Sequence, residues 1–351
     1  MDVANHLSIL DMIDQPAFCV RDGVILRANR SAQSHLFREG CQIADFLFQD
    51  AQAYADFQGG CLYLNVTSAH ITSGASVTRI EDFDLFVVDA ERPQLEAFGL
   101  AAAKLKIPTC NLVNLADAVI SEDPRYAAMR GQLRQQIYQI SRIVNNMSDI
   151  NWLREEDAGN HENTEFSSFF AELMEKMQYM TTAAGYTLEF ENLPQKVSGL
   201  ADRELLQRAV SNILSNAIKF SPKDSLIRAQ LVQKGKYLHF TVTDPGHAQN
   251  ERCNVFTNFT RFTAVEDGRN GLGLGMAIIH CVASCHDGTV LVDTPPEGGT
   301  RVTMTIQLRK RSRLTVRTTI QLPATDYTAG LDPALVEFAD VLSAEAFEKL
   351  T

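Results

Sequence analysis

The chain has 351 residues, 45% of them apolar and 21% charged, an ordinary balance for two or three globular domains with real cores. The 43 acidic residues outnumber the 32 basic ones and leave a net charge of −11, which argues against a basic nucleic-acid footprint. No apolar run reaches the roughly 18–20 residues of a membrane span, and Met1–Gln15 has early acids and no basic n-region, against a signal peptide. The 7 cysteines are an odd number without a C-x-x-C pair. Cys281 and Cys285 stand one helical turn apart with no further ligand near them. All read as reduced, packed thiols of a cytoplasmic protein rather than metal ligands.

In chain order, residues 1–90 read as a small α/β module. Ala17–Val20 and Val24–Ala28 are apolar runs joined by Arg21-Asp22-Gly23, a hairpin signal. Helical patterns follow at 29–38 and 42–57. Strand-like runs come next at Cys61–Val66, Ala75–Ile80 and Phe83–Val88, where Val77, Phe83, Phe86 and Val88 suit a half-buried sheet.

Residues 91–157 change to helical spacing. Phe98, Leu105, Leu112 and Val119 recur every seventh residue, Ser121-Glu122-Asp123-Pro124 breaks the pattern, and Leu133, Ile137, Ile140, Val144 and Met147 resume it. This is an antiparallel helical hairpin with a long apolar stripe. Pairing with a second copy into a four-helix bundle would bury the stripe; packing on its own chain is the alternative. Residues 158–308 read as mixed α/β, with helices at 165–184 and 202–220 and strands at 186–191, 226–233, 237–243, 288–293 and 301–308. In 309–351, Arg309-Lys310-Arg311-Ser312-Arg313 reads as a solvated turn. Leu314 to Leu322 alternate like a strand, and Asp332-Pro333 starts a helix.

Four motifs in the 158–308 region carry chemistry. Asn212, Asn216 and Lys219 fall at i, i+4 and i+7 and share one helix face. Two amides and an ammonium suit a metal-bound polyphosphate: amide oxygen toward Mg²⁺, ammonium toward phosphate. Thr243-Asp244-Pro245-Gly246 puts a carboxylate at a strand end, where it can accept a hydrogen bond from an exocyclic amine such as adenine N6. Gly271-Leu272-Gly273-Leu274-Gly275 precedes a helical pattern, so its backbone N–H groups can approach phosphate. The glycine spacing is not that of a Rossmann fingerprint. Gly298-Gly299-Thr300 is a turn before the last strand.

Together and in this order, the motifs resemble the ATP-binding domain of histidine protein kinases, the fold shared with gyrase, Hsp90 and MutL. Asn212–Lys219 resembles the N box, Asp244 and Gly246 the first glycine box, and Phe256–Phe262 with Arg261 the F box. Gly271, Gly273 and Gly275 resemble the second glycine box, and Gly298–Thr300 the last. The hairpin is then similar to the dimerisation and phosphotransfer bundle. The first module resembles a compact PAS sensor, on its strand–turn–strand and on Asn29 at the following helix start. The resemblance implies a multidomain α+β chain: PAS-like sensor at 1–90, hairpin at 91–157, α/β sandwich ATPase at 158–308 and an extension at 309–351. It implies ATP and Mg²⁺ as ligands, held by Asn212, Asn216, Lys219, Asp244, Gly246, Arg261, Gly271, Gly273, Gly275 and Thr300, with Asn216 at the metal. It also implies a cytoplasmic homodimer, working with a response regulator or a partner histidine kinase.

The pattern departs from the family at its reactive centre. Leu105, Lys106 and Pro108 fit the phosphoacceptor motif, but Ala103 stands at the histidine position. A methyl group cannot accept a phosphoryl group, and none of the 8 histidines lies between 92 and 155. Lys104 replaces the neighbouring acid, and Ile107 the polar residue of the phosphatase motif. Ala248 replaces a lid glycine, and Asn212 cannot act as a general base. The implied function is an ATP-binding pseudokinase in two-component signalling. The alternative is an active kinase acting on a partner or on a histidine outside its hairpin, such as His161 in an exposed linker. In the sensor module His35, His70, Cys19, Cys41 and Cys61 read as packed residues rather than haem or flavin partners.

Overall fold

Asp22 and Gly23 both take positive φ (52° and 78°), the backbone of a two-residue type I′ turn, and close β1 (Ala17–Arg21) onto β2 (Val24–Ala28). This computed structural model describes residues 10, 13, 15–48, 50–68, 71–80, 82–89, 112, 127–152, 160–246, 275–309 and 331–350. Asn29 caps α1 (Arg30–Ser34): its Oδ1 accepts from the amides of Ala32 (2.8 Å) and Ala17 (3.1 Å). Its Nδ2 donates to the carbonyls of Ile13 (2.9 Å) and Gln15 (2.8 Å), which ties the entering chain to the hairpin.

The two helices expected at 29–38 and 42–57 are shorter than their patterns. After α1 the backbone turns through Leu36 and Gly40 at positive φ, and Gly40 N–H donates to the Ile25 carbonyl. That pairing with β2 stops helix propagation, and only a 3-10 turn (Ile43–Phe46) and α2 (Ala51–Ala55) follow. The strands β3 (Cys61–Ser68), β4 (Ile71–Ile80) and β5 (Phe83–Val88) complete the module in the order β2-β1-β5-β4-β3. Its core is aromatic: the Phe18 ring stacks on Phe37 (4.7 Å) and Phe86 (4.9 Å).

Next comes α3 (Ala127–Trp152), then β6 (Glu162–Glu165), α4 (Phe166–Ala183), β7 (Thr187–Glu191), β8 (Ser198–Ala201) and α5 (Arg203–Phe220). The chain continues through β9 (Leu226–Lys234), β10 (Tyr237–Asp244), α6 (Gly275–Cys285), β11 (Val290–Asp293) and β12 (Thr300–Gln307). It ends in α7 (Pro333–Phe338), capped by Asp332, and α8 (Ala344–Leu350). Phe166, Phe170, Leu206, Ile213, Phe240, Ile278 and Met304 meet in one buried core. The helices at 165–184 and 202–220 and the strands β7, β9, β10, β11 and β12 sit within a few residues of their sequence patterns. The short pair β6–β8 had no such signal.

No local sequence signal marks the next pairing. The edge strand β3 pairs antiparallel with β11, Tyr63 opposite Val290 and Cys61 opposite Val292. A single ten-stranded sheet results, continuing from β3 through β11-β12-β10-β9-β7. Gly60 makes the seam feasible: it sits at φ +88°, and a Cβ there would collide with the Val292 carbonyl oxygen.

Helix α3 lies against α6, α7 and α8 of its own chain. Ile137 and Val144 are buried there, whereas Leu133 and Ile140 remain exposed together with Met129 and Ile143. The apolar stripe is therefore divided: part is covered by the same chain, and Val144 belongs to that part. Val144→Asn should lower the unfolding free energy by about 1–3 kcal/mol, the cost of a buried unpaired amide. Urea titration and light scattering check this; an unchanged midpoint with a change of oligomeric state would contradict it. Apart from Leu112, which is helical and exposed, the expected first hairpin helix with Ala103 lies outside the described residues, as do the stretch Phe256–Phe262, Ala248, Gly271, Gly273, His70 and the strand expected at 314–322. No helix among the described residues is long and apolar enough to cross a membrane.

Candidate nucleotide site

The site forms where α5 and β10 end. Asp244 closes β10 opposite Thr300 of β12 and is 5% exposed. Its Oδ1 accepts from the Gly246 amide (2.8 Å) and from the Ser221 hydroxyl (3.3 Å). Both bonds fall on one oxygen, which leaves Oδ2 for an incoming donor. Burial pushes the carboxyl up to about 6 against the pull of these two hydrogen bonds.

Glycines make this corner. A Cβ on Gly246 would lie 2.6 Å from Asp244 Oδ1 and 2.6 Å from the Phe220 carbonyl oxygen. Gly298 and Gly299 take φ of +89° and +90°, and a Cβ on Gly299 would strike the Asp244 carbonyl. The turn before β12 thus runs directly against the carboxylate-bearing strand end.

The amide face of α5 behaves unevenly. Asn216 and Lys219 are half-buried at its solvent side, with the Lys219 ammonium 5.8 Å from the Phe220 ring centroid. Asn212 is fully buried: its Nδ2 donates to the Arg208 carbonyl (3.2 Å), and its Oδ1 accepts from Arg142 Nη2 (3.4 Å). Gly275, the first residue of α6, faces this pair. A Cβ there would lie 3.1 Å from Asn212 Oδ1 and 3.5 Å from Asn216 Nδ2. The described part of α6 thus begins against the amide face, with its N–H groups directed toward that end, which favours an anion.

Asn216, Lys219, Asp244, Gly246, Gly275 and Thr300 gather around the last turns of α5, whereas Asn212, expected with them, is buried beneath Arg142. Arg261, Gly271 and Gly273 lie outside the described residues. Sequence reading missed Ser221, although a serine directly after a helix is a common hydrogen-bonding residue. It also missed Arg142, for which no local signal exists because the contact spans 70 residues. Chemically, the region offers a buried carboxylate oxygen for an amine, an amide oxygen that fits a hard cation, and an ammonium with a helix start for phosphate.

Other candidates resolve differently. His161 is not an exposed linker residue: it is half-buried, its Nε2 donates to the Cys285 carbonyl (3.0 Å), and its ring lies 5.0 Å from His286. Cys19 is buried and its thiol is pushed up to about 12 by desolvation, which makes it inert at neutral pH. His35 is exposed, its Nδ1 bonded to the Ser31 carbonyl (2.9 Å). Among the described residues, no group of three His, Cys, Asp or Glu is placed to hold a metal.

Residues 201–310 match the family model for the histidine kinase-, DNA gyrase B- and HSP90-like ATPase. The sensor-like histidine kinase SenX3 of Mycobacterium tuberculosis is 35% identical over 116 residues, 32% of this chain and 28% of that protein. The probable sensor kinase SilS of Salmonella typhimurium is 23% identical over 205 residues, 55% of this chain and 41% of that protein. The sensor protein KdpD of Escherichia coli is 27% identical over 226 residues, 61% of this chain and 25% of that protein. The chain spans less than half the length of each of these relatives.

Proposed function

Taking the chain as a member of the histidine kinase family by its ATPase domain, we propose that it binds Mg-ATP and acts as a regulatory pseudokinase in two-component signalling. The buried Asp244, with Oδ2 open beside the amide face of α5, carries the nucleotide reading. In it Asp244 accepts the adenine amine. Asn216 supplies an amide oxygen to Mg²⁺, and Lys219, Gly275 and the turn at Thr300 attend the phosphates, with Arg261, Gly271 and Gly273 completing the set. Magnesium would neutralise polyphosphate charge; the chain's own residues orient the nucleotide and exclude water around the adenine.

The pseudokinase part follows from Ala103 and from a hairpin without histidine. Lys104 and Ile107 remove the phosphatase groups as well. The second reading, a working kinase with an acceptor elsewhere, keeps the same nucleotide site. The His161 hydrogen bond to Cys285 weighs against that residue as the acceptor.

The first module is read as a PAS-like sensor, supported by the strand order β2-β1-β5-β4-β3 and by the Asn29 cap. A homodimer is read through the exposed side of α3. Met129, Leu133, Ile140 and Ile143 recur there at helical spacing. The described cysteines Cys19, Cys41, Cys61, Cys281 and Cys285 are free thiols, which suits a cytoplasmic, reducing setting. A response regulator or a second histidine kinase is the partner class.

Calorimetry with Mg-ADP and incubation with labelled ATP test the reading together. Saturable nucleotide binding without acid-labile phosphate on the protein is the expected result. No heat at millimolar nucleotide would end the ATP reading. Phosphohistidine anywhere in the unmodified chain would end the pseudokinase reading and favour the active kinase.

A further inference from the structure

Helices α7 and α8 close a buried charge network between α3 and the amide-bearing α5. Arg142 of α3 donates from Nε to Glu337 (3.2 Å), from Nη1 to Asp340 (2.7 Å) and from Nη2 to Asn212 (3.4 Å). Arg208, one turn before Asn212 on α5, faces Glu337 from the other side (3.3 Å) and donates to Asn146 of α3 (3.0 Å). Arg142 and Glu337 are each more than nine-tenths buried. Two guanidinium groups and two carboxylates balance in charge.

Further bolts surround this core. Gln135 donates to the Leu342 carbonyl (2.7 Å) and Gln139 to the Ala339 carbonyl (3.3 Å), so α3 satisfies backbone acceptors just after α7. The Tyr138 ring packs on Phe347 (5.3 Å), and Lys176 of α4 pairs with Asp332 (3.0 Å). The segment 331–350 thereby grips α3, α4 and α5 at once. A buried ion network adds little net stability, but removing one side of it is costly, so it fixes one arrangement against others.

The price falls on Asn212. Its amide oxygen is committed to Arg142, its amide nitrogen to its own helix, and its side chain is wholly buried. While α3 stays in place, Asn212 is not offered to a metal-bound polyphosphate, although it shares a face with Asn216.

We propose that residues 331–350 form a built-in inhibitory clamp, in which Glu337 and Asp340 hold Arg142 of α3 on Asn212, so that clamp closure and Mg-nucleotide binding oppose each other. The proposal rests on the nucleotide reading of the site and adds its regulation. Because binding linkage is reciprocal, nucleotide must loosen the clamp by the same factor by which the clamp weakens nucleotide binding.

The experiment combines calorimetry with Mg-ADP and hydrogen exchange of residues 127–146. It compares the unmodified chain, the double substitution Glu337→Gln/Asp340→Asn, and a chain ending before Leu331. The altered chains should lose protection in α3 and bind Mg-ADP about 5-fold more tightly or better. A synthetic peptide of residues 331–351 should reverse both changes in the shortened chain, which separates release from misfolding. In the unmodified chain, Mg-ADP alone should speed exchange in α3. Unchanged affinity despite lost α3 protection would overturn the clamp, as would α3 protection that survives both alterations. If no form binds Mg-ADP, the nucleotide reading fails and the inhibition with it. Binding by the released forms alone would show the clamp to be tight and uphold both.

Discussion

Asp244→Asn is expected to stabilise the ligand-free protein above pH 6 while weakening its grip on adenine nucleotides. The folded chain raises this carboxyl from 3.8 to about 6, mainly by desolvation. The folded state therefore holds the proton more tightly than the unfolded state. Below pH 3.8 both states are protonated and the group is neutral for stability. As pH rises from 3.8 to 6 the unfolded state ionises first, so stability falls; above 6 the full cost is present. A shift of this size corresponds to about 3 kcal/mol at most. The carboxamide keeps the Oδ1 acceptor for Gly246 and Ser221 and removes the buried charge. Urea unfolding between pH 4 and 8 should show the stability difference between variant and wild type growing through that window and levelling above it. A flat difference would contradict the account.

The binding effect has the opposite sign. In the variant an amide donor replaces the open Oδ2 acceptor and meets the donor of the adenine amine. Losing a charged hydrogen-bond partner costs about 1.5–3 kcal/mol, so affinity should drop by roughly one to two orders of magnitude. Wild-type affinity should itself decline as pH falls below about 6, because only the ionised carboxylate accepts freely. Calorimetry at pH 5 and 7.5 reads both effects. A protein that is more stable yet binds less well is the signature of a carboxylate kept for a ligand.

The second large effect is a gain of chemistry. Ala103→His with Lys104→Glu rebuilds the acceptor and its acidic neighbour at the register set by Leu105 and Pro108. Residues 92–155 contain no histidine, so phosphohistidine cannot form within them. The double substitution should acquire acid-labile, base-stable phosphate from labelled ATP, read by autoradiography after acid and alkaline washes. If it binds ATP yet stays silent, further lesions are expected, with Asn212 and Ala248 the first to restore. If it does not bind ATP, the fault lies in the nucleotide site itself.

Local pattern reached much of this architecture. Asp22-Gly23 announces its turn because only residues tolerant of positive φ close such a hairpin. The helix over Arg203–Phe220 follows from its spacing and from Asp202 as cap, whose carboxylate accepts from Leu205 N–H (3.0 Å). Asp332-Pro333 marks a helix start for the same reason. The residues around Asp244 were readable because turn chemistry and site chemistry coincide there. What stayed hidden depends on contacts distant in sequence. The sharing of Val144 within the chain, the burial of Asn212 beneath Arg142, and the Glu337 network link segments 70 to 195 residues apart. The helix expected at 29–38 was cut short for a similar reason: pairing of Gly40 with Ile25 outcompeted helical propensity.

The seam between β3 and β11 makes residue 90 a poor place to cut the chain. A fragment ending there keeps a full aromatic core, yet its β3 edge, with Leu62 and Tyr63, loses the strand that covers it. The remainder is left with an equally bare edge at β11. Exposed edges recruit other strands, so each half would tend to pair with copies of itself. What looks like a boundary between two modules along the sequence is, across the sheet, a row of hydrogen bonds. A displacement of the first five strands therefore reaches β11 and β12 through that row, without having to travel along the helices.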